Sequence, residues 1–253
     1  MRQTEVKYLI FILSIMTFSN VSAQTCGFGC LGLSGVYGGY SIQKYDADGL
    51  NNYLNMGVGS SSSQQQFNFN QGSGLKLGIN IIRADYPDFF FTFKGFYQFL
   101  SEEQNLEFDD GAGTQDVYET ELDMNNWGIG LDFGIPLFSF IDLKIIEGEM
   151  KFFSPKFTMK SYNNNPSGNA INVDNTYTAD NVTMGFSVGS GLIFNILEDY
   201  ISMEVTGMYT FLEIDNLTSD QNGTPIPLED SNTQFISSGG LQTFIQLNVG
   251  LPL

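Results

Sequence analysis

The sequence predicts an all-β fold, a transmembrane antiparallel up-and-down β-barrel of about eight strands, and three observations lead to this prediction. Beyond residue 30 the chain alternates between segments of period-two hydrophobicity and polar connectors, which is the pattern of strands with two unlike faces. The connectors are alternately long and short. The positions opposite the apolar ones are mainly glycine, serine, threonine and amide residues.

The N-terminus predicts export. Arg2 and Lys7 precede an apolar run at residues 8–18, and Val21-Ser22-Ala23 supplies the small residues that signal peptidase needs. We interpret residues 1–23 as a cleaved signal peptide and residues 24–253 as one barrel domain. A membrane anchor is the alternative, but the run is shorter than the roughly 20 apolar residues of a spanning helix.

Two cysteines follow the predicted cleavage site. Cys26 and Cys30 lie four positions apart, and in an oxidising compartment they allow a small disulfide loop. Cys26 is also a candidate for lipid modification, although Gln24 and Thr25 stand where small residues are usual. A metal site there would lack further ligands, because the chain has no histidine.

Eight strands can be placed along the chain. Six of them alternate clearly, and their apolar faces occupy 75–81, 89–99, 127–135, 182–194, 201–211 and 241–251. A less regular first strand is expected at 33–43. Residues 141–159 start in phase and lose it near Gly148, which favours one long bulged strand over two short ones.

The connectors indicate which end of the barrel is which. Long polar stretches fall at about 44–72, 101–121, 161–180 and 213–233, and short ones at about 84–88, 136–140 and 195–199. Barrels of the outer membrane have short periplasmic turns and long extracellular loops. An even number of strands returns both termini to the periplasm.

The composition of the two faces predicts that the apolar side chains point outward into lipid. The alternate positions that form the apolar faces of the six clear strands carry no charge, and small polar residues suit the crowded inside of an eight-stranded barrel. Aromatic residues near the strand ends could form two interfacial girdles. They are Tyr86, Phe89, Phe138, Phe140 and Tyr200 on the turn side, and Tyr97, Phe99, Trp127, Tyr209 and Phe211 on the loop side.

A few charged residues fall on the face predicted to line the barrel. They are Lys76, Lys94 and Lys144 together with Asp132, Asp142 and Glu204. Three charges of each sign could neutralise one another, and buried charges are tolerated only when they are paired. We interpret them as a salt-bridge plug, with the lining of a narrow ion path as the alternative.

The acidic excess lies in the predicted loops. The chain has 28 acidic and 10 basic residues, which argues against a nucleic-acid partner. Residues 102–123 hold nine acids and no base. They could bind calcium, but the spacing is not that of an EF-hand, so a solvated, disordered loop is expected. Residues 60–66 are low in complexity and expected to be flexible.

These features resemble the small outer-membrane barrel class typified by OmpA and OmpX over nearly the whole mature length. The segment 240–253 is similar to the C-terminal assembly signal of that class, although it ends on Pro252-Leu253 instead of an aromatic residue. The resemblance implies the outer membrane of a Gram-negative bacterium and contact with its lipid and lipopolysaccharide. The Ala23/Gln24 cleavage, the acidic balance and the Asn-rich loops look like a Bacteroidota-type envelope protein.

The sequence predicts no catalytic, cofactor or metal site. Enzymes built on outer-membrane barrels resemble one another in using a histidine as base, and this chain has none; a carboxylate-only site is the remaining enzymatic possibility. We therefore expect a structural or interaction protein, and its more specific form would be an accessory subunit of a larger secretion or assembly complex. The alternatives are a small pore or transporter, and a soluble periplasmic barrel that holds an apolar ligand.

Overall fold

The computed structural model describes residues 35–58, 66–109, 115–165, 168–197, 200–229 and 233–250, without the side chains of 108–109, 115 and 163–173. The predicted signal peptide, Cys26, Cys30 and most of the low-complexity segment lie outside these ranges. In chain order the elements are β1 (Gly35–Asp46), α1 (Asp48–Val58), β2 (Gln71–Asp85), β3 (Phe90–Gln98), β4 (Ser101–Asp109), β5 (Gln115–Phe138), β6 (Ile141–Asn165), β7 (Gly168–Thr178), β8 (Thr183–Leu197), β9 (Ile201–Phe211), β10 (Thr218–Ser219) and β11 (Ser238–Gly250).

Eight of the strands close into a ring. Each pairs antiparallel with its two neighbours in the order β1, β2, β3, β5, β6, β8, β9 and β11, and β11 pairs back with β1 from Gly35↔Gly250 to Asp46↔Ser238. Closure removes the free edges of the sheet. The predicted eight-stranded barrel is therefore confirmed, and residues 141–165 form the single bulged strand that was preferred.

The outside of the barrel is apolar. Among the described outward positions between Phe89 and Phe99 on β3, and at the same height on the other strands, no side chain is charged, while leucine, isoleucine, valine and phenylalanine are exposed. The step from Phe89 to Phe99 covers about 33 Å along a strand. At the usual tilt of about 40° this gives an apolar band about 25 Å tall, which is the height that spans an outer membrane.

This placement contradicts the soluble alternative. A soluble barrel around an apolar ligand needs its apolar face inside, whereas Val188, Leu247 and Ile129 all point outward and are 40% exposed or more. In the six clearly alternating strands the faces match the alternation of the sequence except on β2. There a register shift between Asn80 and Ile82 turns Ile82 outward in place of Ile81.

The two ends of the barrel differ greatly. At one end short turns join β2 to β3, β5 to β6 and β8 to β9. At the other end β5 and β6 continue well past the girdle and pair with β4 and β7 to form a four-stranded sheet outside the membrane. From Trp127 to Gln115, β5 covers about 40 Å along its own axis.

The long connections lie at this end, as predicted, but the expectation of a solvated, disordered loop at 102–123 is wrong. Residues 101–109 form β4, residues 115–123 belong to β5, and most of 161–180 belongs to β6 and β7. The stretch 44–72 contains α1, whose Leu50 and Leu54 lie one turn apart and face inward. The polar composition of these segments obscured the helix and the strands, because their outer faces are exposed to water and carry polar side chains. Among the described residues, no helix has the length and the hydropathy to cross a membrane.

Candidate functional site

The part of the barrel interior nearer the short turns holds a buried charge network. The Lys144 ammonium lies 2.6 Å from Glu147 Oε2 and 3.1 Å from Asp132 Oδ2, and it also contacts Glu204. Lys94 lies 3.1 Å from Asp132 Oδ1 and pairs with Glu147. Since each ammonium faces two or three carboxylates, charges that would be costly alone compensate one another.

A second group of charges lies farther from the short turns than the first. Lys76 and Lys151 share Glu149, with Lys151 Nζ 3.4 Å from Glu149 Oε2. The Lys76 ammonium also lies 4.0 Å from the centre of the Phe96 ring, which supplies cation–π attraction. Lys151 donates in addition to the amide oxygen of Gln242. These groups fill the lumen at this level.

Glycines on β5 make room for this packing. A Cβ atom added to Gly130 would lie 2.9 Å from Cε of Lys94, and one added to Gly128 would lie 2.5 Å from the Phe96 ring. Both contacts are closer than side chains tolerate. The glycine alternation of β5 therefore provides the volume that the long side chains of β3 occupy.

Five of the six predicted interior charges belong to these two groups of paired charges. They are Lys76, Lys94, Lys144, Asp132 and Glu204. Asp142 does not join them, because it lies near the turn end, where its carboxylate is 3.7 Å from Arg83 and accepts a hydrogen bond from Asn195.

Sequence reasoning missed three members of the network, Glu147, Glu149 and Lys151. Their phase changes at a bulge on β6, where Ile145 and Ile146 both point outward and the register shifts between Lys144 and Glu147. The sequence did contain a signal for the bulge. Two consecutive isoleucines are followed by charges at alternate positions, so the inward face restarts at Glu147, just before the predicted loss of phase at Gly148.

Above the barrel, an apolar core fills a folded cap. The cap consists of α1, the four-stranded sheet β4–β7, the segment 66–70 and the segment 212–237. Its core residues are almost fully buried and come from all of these parts: Tyr45, Ala47, Leu50, Leu54, Phe67, Phe69, Leu100, Leu122, Met124, Phe153, Phe157, Tyr177, Leu212, Ile214, Leu217, Ile226, Phe235 and Ile236. The Phe157 ring contacts the rings of Phe69, Tyr177 and Phe235 at about 6.1–6.2 Å between centres.

Two asparagines on α1 hold an extended segment in this core. Asn51 donates from Nδ2 to the carbonyl of Phe69 at 3.0 Å and accepts from its amide at 2.7 Å. One turn later Asn55 does the same with Phe67 at 3.1 and 2.9 Å. The side chains thus satisfy backbone groups as a neighbouring strand would, and both phenylalanine rings are directed into the core.

Glu102 ties the cap to the barrel rim. Its carboxylate accepts hydrogen bonds from the Tyr45 hydroxyl at 2.5 Å, from the backbone amides of Asn70 and Gln71 at 3.1 and 2.8 Å, and from the Gln104 amide at 2.9 Å. Burial and the Glu102 carboxylate together raise the pKa of Tyr45 well above its ordinary value. The phenol therefore stays protonated and remains a donor.

The outer surface of the cap is acidic. Glu103 lies opposite Glu121 in the β4–β5 ladder. Partial burial, followed by the charges of Asp123 and Glu103, raises the pKa of Glu121. Partial burial also raises the pKa of Asp123, against the charge of Lys156. Within the described residues, no group of three or more acidic side chains is placed so that it could hold a metal ion.

The predicted aromatic girdles sit at the two rims of the apolar band. On the loop side Tyr97, Trp127 and Phe152 lie opposite one another on three neighbouring strands, and the Trp127 and Phe152 rings stack at 4.2 Å. Phe99, Tyr209 and Phe211 are exposed near that rim. Phe89, Phe138, Phe140 and Tyr200 are exposed at the turn end, and half-buried Tyr86 stacks on Phe89 at 4.5 Å.

No protein-family model matches this chain, and no curated protein is significantly similar to it in sequence. Among solved structures it is similar to Ail, the attachment invasion locus protein of Yersinia pestis, in complex with the heparin analogue sucrose octasulfate, with 12% identity over 86% of this chain and 96% of that one and a TM-score of 0.33. It is also similar to the outer membrane protease OmpT from Escherichia coli (12% identity, 86% and 94% covered, TM-score 0.37) and to Neisserial surface protein A (10%, 86% and 98%, 0.38). The strand pairing and the burial of the side chains, more than these distant likenesses, define the fold.

Proposed function

We propose that this protein is a non-conducting, non-enzymatic barrel of the outer membrane of a Gram-negative bacterium, which acts as a structural or interaction protein through its folded cap. The observation that carries the proposal is the double closure of the lumen. Four lysines and four carboxylates form the buried network of the barrel, and an apolar core lies across its outer end. A passing ion would have to separate these salt bridges and then cross the apolar core.

Planar-bilayer recording tests the closed lumen. We expect folded wild-type protein to insert without steady conductance. The variant Phe157→Ala serves as a matched control, because it loosens the cap and leaves the charge network in place, so it should also stay silent. Reproducible ohmic steps from the wild-type protein would contradict the proposal and favour a small pore.

The shape of the cap supports the interaction role. The β4–β7 sheet extends about 40 Å beyond the girdle along β5, and Glu103 and Glu107 are exposed on its outer face. A rigid surface of this kind suits contact with a larger envelope complex, in which the protein would be an accessory subunit. Lys44 and Lys156, exposed just beyond the band, suit contact with the phosphates of lipopolysaccharide.

Co-purification from native membranes in mild detergent tests the accessory role. We expect a reproducible set of partners with the wild-type protein, and its loss with the pair Glu103→Gln and Glu107→Gln. The pair Asp85→Asn and Asp88→Asn makes the same charge change at the turn end and should keep the partners. Recovery of the wild-type protein alone at every salt and detergent condition would contradict the proposed role.

A further inference from the structure

A layer of amides and hydroxyls separates the charge network from the cap. Its members are fully or almost fully buried: Ser41 and Gln43 on β1, Gln98 on β3, Asn126 on β5, Ser187 on β8, Thr210 on β9 and Gln242 on β11. We call these seven residues the amide layer. Part of it is internally hydrogen-bonded, since Ser41 Oγ accepts from Gln98 Nε2 at 2.7 Å and from Gln242 Nε2 at 3.2 Å.

Three amides of this layer keep polar atoms without a partner among the described residues. Both Nε2 and Oε1 of Gln43 are in this position, as are Oε1 of Gln98 and Oδ1 of Asn126. All three side chains are at most 1% exposed. A buried amide group with no hydrogen bond costs about 1–3 kcal/mol, so these four atoms call for a partner from outside the chain.

The arrangement of the strands brings these atoms to one side of the lumen. Gln98 lies directly opposite Asn126. Between Gln43 and Gln98 runs β2, which contributes Gly72 and Gly74 opposite Gln43 and Ser41. Glycine at Gly72 places no side chain beside Gln43, and an added Cβ there would meet no atom closer than 3.4 Å. The nearest atoms there belong to Met124, Leu100 and Tyr45 of the cap core.

We propose that ordered water molecules occupy a site formed by Gln43, Gln98 and Asn126, beneath the apolar floor of the cap. Water both donates and accepts, as the mixed set of one amide nitrogen and three amide oxygens requires, and a buried water molecule typically makes about three hydrogen bonds. An anion would suit only the nitrogen. The bound water completes the polar layer and seals it between the salt bridges and the cap.

Water relaxation dispersion on the full-length protein folded in detergent micelles tests this site, with crystallography of the same protein locating the molecules. We expect water of long residence bound to the three amides. The variant Gln43→Leu, which removes both unpartnered atoms of that side chain, should lose at least one such molecule. Ser187→Ala is the matched control, because Ser187 is also buried in the amide layer and its partner Thr210 keeps a hydrogen bond to Gln242. It should keep the wild-type number of bound waters.

Three results would overturn the site. Wild-type protein without long-lived internal water is the first. The second is an unchanged water number in Gln43→Leu. The third is anomalous density beside Gln43 Nε2 in crystals soaked with bromide, which would assign the site to an anion. The measurement on unaltered protein decides the matter even if a variant fails to fold.

Discussion

The barrel and the cap have opposite polarity, although they share continuous strands. On β5, Trp127 and Ile129 point outward into the apolar band while Asp132 points into the lumen; a few residues earlier, Leu122 and Met124 are buried in the core while Glu121 and Asp123 face outward. The inward face thus changes from polar to apolar along one strand without a break in its alternation. The surroundings decide this change, because lipid accepts only apolar side chains and water accepts charged ones.

We expect the largest effect on stability from removing one charge from the lumen. Lys144→Met leaves Glu147, Glu204 and Asp132 without their shared ammonium, and breaking a buried pair costs about 3–5 kcal/mol. We expect the free energy of unfolding, measured by urea titration in lipid vesicles, to fall by about this amount. The double variant Lys144→Met with Glu204→Leu should recover part of the loss. Wild-type stability in the single variant would mean that the network is not needed.

A matching change in the cap should act on the cap alone. Phe157→Ala removes a ring that is fully buried against Phe69, Tyr177 and Phe235, and such a truncation costs about 3–5 kcal/mol. We expect faster amide hydrogen exchange throughout α1 and β4–β7, with unchanged protection in β8 and β9. Equal loss of protection in both regions would show that cap and barrel form one cooperative unit.

Asn51 and Asn55, which we call the asparagine clamp, hold the extended segment 66–70, and a substitution in the clamp tests this role. Asn51→Ala leaves the amide and carbonyl of Phe69 unpaired, at an expected cost of about 1–3 kcal/mol. We expect faster hydrogen exchange at residues 66–70, with little change in β2. As the control, Asn52→Ala alters an exposed residue of the same helix and should leave this exchange unchanged. A similar effect of both substitutions would assign the loss to the helix instead of the clamp.

The smallest expected effect concerns the acidic outside of the cap. Because the pKa values of Glu121 and Asp123 are raised, protonation favours the folded hairpin. This contribution is present at low pH and is lost as pH rises from the unfolded pKa values through the raised ones. Glu121→Gln removes the like-charge pair with Glu103, worth about 0.2–1 kcal/mol. We expect slower exchange in β4 at pH 7 and a weaker pH dependence between about 4 and 7. Unchanged dependence would contradict the pairing.

The sequence was sufficient to predict the barrel because, within the apolar band, the outward face of every strand meets the same surroundings. Val188 and Leu192 alternate with Ser187 and Gly189, and this alternation indicates both the strand and its faces. The bulge at Ile145 and Ile146 was harder to locate, since two successive residues of this strand point outward and the alternation shifts by one position. Its displacement concealed Glu147, Glu149 and Lys151.

The cap was missed for a different physical reason. Its outer faces are acidic, so counting charges in 102–123 indicated a solvated loop, although Leu122 and Met124 alternate with Glu121 and Asp123 at the end of this stretch. In the cap the apolar residues of one element are completed by elements distant in sequence, as Leu50 and Phe235 are in their common core. No local window of sequence contains that information.

The position of Trp127 tests the outward orientation of the apolar face most directly. It is the single tryptophan of the chain, it is 50% exposed at the loop-side rim, and its fluorescence reports its own depth. In vesicles of brominated lipids we expect strong quenching by bromine near the carbonyl region and weak quenching by bromine at the chain end. Fluorescence that no brominated lipid reduces would place this face away from lipid and contradict the membrane orientation.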